Sequence, residues 1–205
     1  MRSLPQKRAK MSNPAFMSVF FVGEKREMRS LYGKMWRLQT RKESLIANGF
    51  YEQKRWLGNL VTRLGGDWRE VYCKGTWSDL RLTKDYLHFF TETAWQPPLE
   101  LLKLIQKVYP SLQYFFSAEG DDWDAYLTND EGGRFFTARY VLDMEPDIEY
   151  FDTIEEACAH LSAFLGRPVA DSWEALCEAA EEWNDAHPDS PWPISVKRVE
   201  VENGG

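Results

Sequence analysis

One stretch of the chain, Leu87–Tyr140, limits the fold most, because two adjacent prolines divide a strand pattern from a helix pattern. Aromatic and β-branched residues in Leu87–Thr93 predict a strand, and Pro97 and Pro98 end it because proline lacks the N–H that a sheet requires. Prolines also suit the first turn of a helix, whose N–H groups have no partner within the helix. Apolar residues then recur at helical spacing up to Pro110, namely Leu101, Leu102, Leu104, Ile105 and Val108.

Two turn signals follow this predicted helix. Leu112–Phe116 has the composition of a strand, and the acidic glycine turn Glu119–Asp122 comes after it. A second turn, Asn129–Gly133, precedes a predicted strand over Arg134–Asp143. We therefore expect a β-hairpin added to a strand-helix-strand unit.

The first 86 residues supply the remaining elements of that unit. Phe16–Val22 is a nearly continuous apolar run and predicts a central strand, and a helix is expected from Glu24 to about Ala47. A second helical pattern follows at Leu57, Leu60, Val61 and Leu64. We predict the next strand over Trp68–Thr76 and a polar connection over Ser78–Tyr86. The resulting order is that of a ferredoxin-like βαββαβ sandwich of class α+β, with a mainly antiparallel sheet.

The C-terminal part predicts two helices and a short strand. Thr153 and Glu156 have capping-box spacing before an apolar helical pattern, and a second helix is expected over Ser172–Ala186. Pro191–Glu202 has the pattern of a final edge strand. We expect a disordered basic tail over residues 1–15, a ferredoxin-like domain with the added hairpin over 16–143, and a helical extension over 144–205 that packs on the same core.

Composition and cysteine content indicate an intracellular protein. A chain of 205 residues can bury a core large enough to fold without a metal or disulfide, and we expect no cofactor. The cysteines, Cys73, Cys158 and Cys177, are odd in number and lack CxxC spacing, which favours reduced thiols in the cytoplasm. No apolar run approaches the length of a membrane span, and the N-terminus lacks the core of a signal peptide.

Charge is distributed unevenly along the chain. Residues 1–60 hold 13 Lys and Arg against 4 Asp and Glu, whereas residues 117–190 hold 3 against 20. The strongest acidic face is predicted on the second C-terminal helix, at Glu174, Glu178, Glu181, Glu182 and Asp185. Solvated helix faces would explain these charges without any partner.

Four groups of residues in the sequence have side chains that could carry chemistry or bind a ligand. Carboxylates of the acidic turn could hold Mg²⁺ or Ca²⁺, although the spacing fails the EF-hand pattern; they are Glu119, Asp121, Asp122 and Asp124. His88, His160 and His187 are interpreted as structural or exposed, so no catalytic residue is predicted.

Aromatic residues of the predicted strands could stack bases: Tyr114, Phe116, Tyr126, Phe136 and Tyr140. However, the basic-aromatic signature of RNA-binding sheets is missing. The basic face of the first helix is a nucleic-acid candidate through Arg29, Arg37, Arg41 and Lys42.

A resemblance to a known family rests on residues Phe90–Pro98, which read FTETAWQPP, followed by a helix, Tyr109-Pro110, an aromatic strand and the acidic glycine turn. This combination resembles the proteins with a YubB ferredoxin-like domain, the Api92-like group. The resemblance covers roughly Phe16 to Tyr140 and implies a ferredoxin-like fold and a setting on plasmids, phages and integrated elements of bacteria. It implies no catalytic motif.

Three hypotheses of function follow. The first is a non-enzymatic accessory protein of a mobile element that binds an unknown protein partner, with tryptophans such as Trp77, Trp123 and Trp192 exposed as anchors. In its sharper form the acidic region mimics nucleic acid and blocks a DNA-binding or defence protein. The second is a divalent-metal enzyme that uses the acidic turn, and the third is a nucleic-acid binder that uses the basic first helix.

Overall fold

The structure is a computed structural model and describes residues 13–46, 53–120, 126–144 and 147–202. Within those ranges it has five helices and an eight-stranded, mostly antiparallel sheet in the order β2-β3-β1-β4-β5-β8-β6-β7. The predicted mixed α and β class is confirmed, and the sheet is larger than predicted. The elements are β1 (Pro14–Val22), α1 (Lys25–Thr40), α2 (Leu57–Arg63), β2 (Gly75–Leu82), β3 (Leu87–Ala94), α3 (Leu99–Val108), β4 (Gln113–Gly120), β5 (Tyr126–Thr128), β6 (Tyr140–Met144), β7 (Asp147–Phe151), α4 (Ile154–Leu165), α5 (Trp173–Ala186) and β8 (Ser195–Val201).

The chain divides into two compact units. The first takes residues 1–114 and 120–122, and the second takes residues 115–119 and 123–205. The expected division into a domain over 16–143 and an extension over 144–205 stays a prediction.

The core of the first unit lies on one face of strands β1 and β3. Both strands alternate between buried and partly exposed residues, as a sheet with one packed face requires. The buried rows are Ala15, Met17, Val19 and Phe21 on β1, and Leu87, Phe89, Thr91 and Thr93 on β3. Helices α1 and α3 contribute the buried side chains Met28, Leu31, Met35, Leu38, Leu101, Leu102 and Ile105.

Two predictions in the first unit are wrong. Helix α1 ends at Thr40 rather than near Ala47. The fully buried Asn59 side chain accepts a hydrogen bond from the Ile46 backbone N–H and a second from the Ser44 hydroxyl. These bonds hold the segment after α1 as a loop. The strand expected over Trp68–Thr76 lies instead at Gly75–Leu82. The polar residues of this strand led to the prediction of a connection over Ser78–Tyr86. They are polar because the outermost strand of a sheet exposes one row of side chains to solvent.

Strand β2 contains a β-bulge. Ser78 pairs with Phe90 and Arg81 pairs with His88, so β2 carries one residue more than β3 over this interval. Asp79 lies within the bulge and has a φ of 50°, a left-handed conformation that Asp tolerates better than most residues. The bulge therefore places Arg81, and not Leu80, beside His88.

The second unit buries its core between helices α4 and α5 and strand β6. The fully or nearly fully buried side chains are Leu142, Ala157, Cys158, Leu161, Leu176, Ala179, Ala180 and Ile194. Thr153 caps α4 by accepting the Glu156 N–H, and Gly166 ends it with a φ of 66°. The predicted helices and their caps are confirmed here, and Ser172 likewise caps α5.

Strand pairing in the second unit differs from the prediction. Strand β8 is not an edge strand, because it pairs in parallel with β5 and antiparallel with β6. It therefore lies between the two strands that flank the Asn129–Gly133 turn, and the hairpin expected there does not form. Strand β7, which pairs with β6, was not predicted.

The strand expected from Arg134 begins only at Tyr140 because Asp130 takes the hydrogen bonds that a sheet would use. The Asp130 carboxylate is 1% exposed and accepts the backbone N–H groups of Arg134, Phe135 and Phe136. Burial raises the pKa of this carboxyl, but the three N–H donors and nearby Arg139 outweigh burial and hold it below its usual value.

Candidate functional site

Five carboxylates form one exposed stripe on α5, which we call the acidic stripe: Glu174, Glu178, Glu181, Glu182 and Asp185. At 3.6 residues per turn, these positions fall within a sector of about 100° around the helix. The opposite side of α5 is buried through Leu176, Ala179 and Ala180. The structure thus brings together all five residues that the sequence predicted for this face.

Positive charge offsets little of the acidic stripe. Arg167 forms an ion pair with Glu182, and both side chains are about half exposed or more. Apart from this pair, the described residues show one ion pair, between Arg69 and Asp67 in the first unit. Helix α5 has no basic residue in its last turn, where the helix dipole would favour one.

The predicted aromatic anchors have different outcomes. Trp77 is 1% exposed and belongs to the core of the first unit, so its prediction as a surface anchor is wrong. Its position on β2 faces inward because it pairs with the buried Thr91. Trp192 is 51% exposed, as predicted, whereas Trp123 lies outside the described residues.

Of the predicted metal ligands, the structure describes Glu119 alone. Its Oε2 accepts a hydrogen bond of 2.7 Å from the Tyr150 hydroxyl, and burial together with this carboxylate raises the pKa of Tyr150. Asp121, Asp122 and Asp124 lie outside the described residues. Over the described ranges, no group of three or more His, Cys, Asp or Glu is arranged to hold a metal ion.

The predicted basic residues of the first helix are all exposed. Arg29 and Arg37 lie on α1, Arg41 is its C-cap, and Lys42 follows in the loop. The opposite face of α1 is buried through Met28, Leu31, Met35 and Leu38. These four side chains are available to solvent, and their role in binding nucleic acid stays a prediction.

His88 has partners that sequence reasoning missed. Its Nε2 lies 2.9 Å from the Ser18 hydroxyl, across the β1–β3 pair, and its ring contacts Phe20 at 4.5 Å between centroids. Burial lowers the pKa of His88 and nearby Arg81 lowers it further, against a hydrogen bond to the Asp79 backbone and the Asp79 charge. Alternation on β3 placed His88 opposite Phe89, but only the register of β1 identifies Ser18 as its neighbour.

A cavity of about 540 Å³ lies in the first unit. Its lining includes Trp56, Trp68, Cys73, Lys74, Gln96 and Glu100. The Trp56 indole N–H donates to the Cys73 carbonyl at 2.8 Å, and Glu100 accepts the Tyr72 N–H at 2.7 Å. Burial raises the pKa of Cys73 to about 11, so its thiol is protonated at neutral pH and is a poor nucleophile.

Comparison of the chain with protein-family models, with curated proteins and with solved structures yields no match. The class that the geometry defines is therefore a mixed α and β protein with an acidic helical face. No described helix combines the length and apolar character needed to cross a membrane.

Proposed function

We propose that the protein acts by binding a cationic protein partner through the acidic stripe of α5. In this proposal it is a non-enzymatic accessory protein of a bacterial mobile element and works in the cytoplasm. Its acidic stripe occupies the surface that a DNA-binding or defence protein uses for nucleic acid. The proposal rests first on the spacing of the five carboxylates.

That spacing approaches the charge density of a DNA strand. Glu174 and Asp185 are eleven residues apart, which is about 16 Å along an α-helix. The five charges are separated by four intervals that average about 4 Å along the axis. One strand of duplex DNA carries one phosphate per about 3.4 Å of axis. A groove lined with Lys and Arg would therefore meet a similar row of negative charges on α5 and on a DNA strand.

Helix energetics support a role for the carboxylates beyond solubility. Negative charge near a helix C-terminus is unfavourable because the dipole is negative there. Glu181, Glu182 and Asp185 nevertheless occupy the last part of α5, and no basic residue lies in its last turn. The described second unit contains 18 Asp and Glu against 5 Lys and Arg, so the surroundings do not neutralise them.

The fold belongs to the same proposal. The elements from β1 to β4 follow a βαββαβ order if α1 and α2 count as one crossover, with β1 and β3 adjacent and antiparallel. This order supports a ferredoxin-like core of the YubB type, to which the β5–β8 strands and two helices are added. The setting on a mobile element follows from that assignment.

A charge-reversal experiment tests the function. The variant Glu178→Lys, Glu181→Lys, Asp185→Lys leaves the Arg167–Glu182 pair intact, and the control Glu131→Lys, Asp189→Lys, Glu202→Lys changes the net charge equally at exposed sites outside α5. Tagged proteins are used to capture partners from nuclease-treated bacterial lysate. We expect a stoichiometric protein that duplex DNA displaces, and that the stripe variant loses while the control keeps it.

Two results would contradict the proposal. One is a captured protein that the stripe variant binds as well as the wild type does. The other is a partner that duplex DNA does not displace, because such a partner would not bind the acidic stripe through its DNA-binding surface.

A further inference from the structure

The partly exposed face of β1 and β3 in the first unit carries a set of aromatic rings. Residues that alternate with the buried rows define this outer face: Phe16, Ser18 and Phe20 on β1, His88, Phe90 and Glu92 on β3, and Thr76, Ser78 and Arg81 on β2. Their side chains are intermediate in burial, except that Arg81 is exposed. Three phenylalanines at partly exposed positions are not needed to fill the core, which lies on the opposite face.

The rings form two adjacent groups. Phe16 and Phe90 are stacked with centroids 6.1 Å apart and planes 20° from parallel. Phe20 contacts the His88 ring with centroids 4.5 Å apart and makes a T-shaped contact with the Tyr86 ring at 5.1 Å. Single-stranded nucleic acids bind proteins by stacking bases on such side chains, and any base can do so because each has a π face.

Polar groups lie between and beside the rings. The Ser18 hydroxyl is bonded to His88, and Ser78 pairs with Phe90 across the β2–β3 ladder. Hydroxyls and an imidazole can bond the edges of bases that have been separated from their partner strand. Thus hydrogen-bonding groups accompany the stacking surfaces on the same face.

The β-bulge supplies a cation at this face. Without its extra residue, Leu80 would oppose His88; with it, Arg81, His88 and Phe20 lie in one row across three strands. Bulges commonly redirect side chains at functional sites, and Asp79 adopts a left-handed conformation to form this one. The position of Arg81 suits a phosphate that follows a stacked base.

The charge of the first unit is complementary to a nucleic acid strand. Residues 13–46 and 53–114 contain 16 Lys and Arg against 9 Asp and Glu. Most Asp and Glu residues of the chain, whose negative charge would repel phosphates, belong to the second unit. The outer face itself carries one charge of each sign, Glu92 opposite Thr76 and Arg81 opposite His88.

We propose that the outer face of β1, β2 and β3 binds single-stranded nucleic acid, with Phe16, Phe20 and Phe90 stacking bases and Arg81 contacting a phosphate. This site is separate from the acidic stripe and does not depend on the proposed partner protein. It also differs from the basic face of α1, because it reads the strand by stacking rather than by charge alone.

The test measures binding of fluorescein-labelled 12-nucleotide oligo(U), oligo(dT) and a 12-base-pair duplex by anisotropy, at salt concentrations from 50 to about 200 mM. The variants are Phe16→Leu with Phe90→Leu, which keeps apolar volume but removes the rings, and Arg81→Gln. The control is Arg29→Gln with Arg37→Gln on α1. Thermal melts followed by circular dichroism establish that each variant folds.

We expect the wild type to prefer single strands over the duplex. Loss of one stacked base should weaken binding about 5- to 150-fold, and loss of one phosphate contact should reduce the salt slope by about 0.7. The α1 control should bind as the wild type does. Tighter binding of oligo(U) than of oligo(dT) would identify RNA as the ligand, and the reverse would identify DNA.

Three outcomes would overturn the proposal: no wild-type binding to either oligonucleotide at 50 mM salt, unchanged binding by the leucine variant, or a loss confined to the α1 control. If the leucine variant does not fold, Arg81→Gln decides, because Arg81 is exposed and its exchange leaves the core intact.

Discussion

At Gly58, helix propensity and packing act in opposite directions. This residue lies in α2, where alanine is intrinsically favoured over glycine, but an added Cβ would come within 2.3 Å of the Trp56 ring. Trp56 is 1% exposed and its indole is tied to the Cys73 carbonyl, so the ring cannot move away. The lack of a side chain at this position is therefore a packing requirement.

We predict that Gly58→Ala destabilises the protein by about 1–3 kcal/mol, as overpacking of a core does. Gly33→Ala in α1 is the matched exchange, because its Cβ would find only the Arg37 guanidinium at 3.6 Å. That exchange should stabilise by about 0.5–1 kcal/mol. Urea unfolding followed by tryptophan fluorescence measures both, and equal signs for the two variants would contradict the packing argument.

His88 makes stability depend on pH in a defined direction. Its folded pKa lies below 6.5, because burial and Arg81 disfavour the imidazolium more than Asp79 favours it. As pH falls below 6.5, the unfolded chain binds a proton that the folded chain does not, so stability declines until the folded pKa is reached. Above 6.5 both states are neutral and the contribution is constant.

The exchange His88→Gln should remove this decline. Urea midpoints of the wild type and the variant at pH 7.5, 6.5 and 5.5 provide the comparison, since other groups titrate equally in both. The urea midpoint of the wild type minus that of the variant should fall as pH falls. A value that stays constant, or rises, would show that the imidazole is not disfavoured as a cation.

At the scale of the element, α5 combines opposing demands at its two ends. Glu174 lies in the first turn, where the dipole favours a carboxylate, and Asp185 lies in the last turn, where the dipole disfavours one. Both are exposed and both belong to the acidic stripe. Removing either carboxylate changes the net charge equally, but it has opposite effects on the interaction with the helix dipole.

We predict that Asp185→Asn stabilises the protein and Glu174→Gln destabilises it, each by about 0.3–1 kcal/mol. Thermal unfolding at low salt is the measurement, and about 1 M salt should reduce both effects by screening. Partner binding should weaken in both variants, since each loses one charge of the stripe. Shifts of the same sign would mean that net charge, not the dipole, controls stability here.

At the scale of the whole molecule, β8 holds the second unit together. It lies between the three-residue β5 and β6, although it comes last in the chain. A chain that ends after Pro193 lacks β8 and leaves both neighbours without a partner on one side. We expect it to lose strand signal in circular dichroism and to become sensitive to protease beyond residue 115, whereas a chain that ends at Glu202 stays resistant. Resistance in the shorter chain would contradict this role.

Local patterns predicted the helices α4 and α5, the strand β1 and the acidic stripe, because spacing along one element determines each. They failed where a distant residue decides the structure. Asn59 holds the chain after α1 in a loop, Asp130 takes the N–H groups of a would-be strand, and β8 inserts between β5 and β6. The pairing of Ser18 with His88 likewise depends on register between β1 and β3, which sequence spacing does not contain.

The β-bulge in β2 also has a consequence for association between chains. Strand β2 is at one end of the sheet order, where unpaired N–H and C=O groups can template a strand from another molecule. Part of this edge is covered by the bridge between Trp56 and Thr76, and the bulge at Asp79 interrupts the remainder. A regular strand cannot add along such an edge without breaking register. The extra residue that turns Arg81 outward thus also protects the protein against edge-to-edge aggregation.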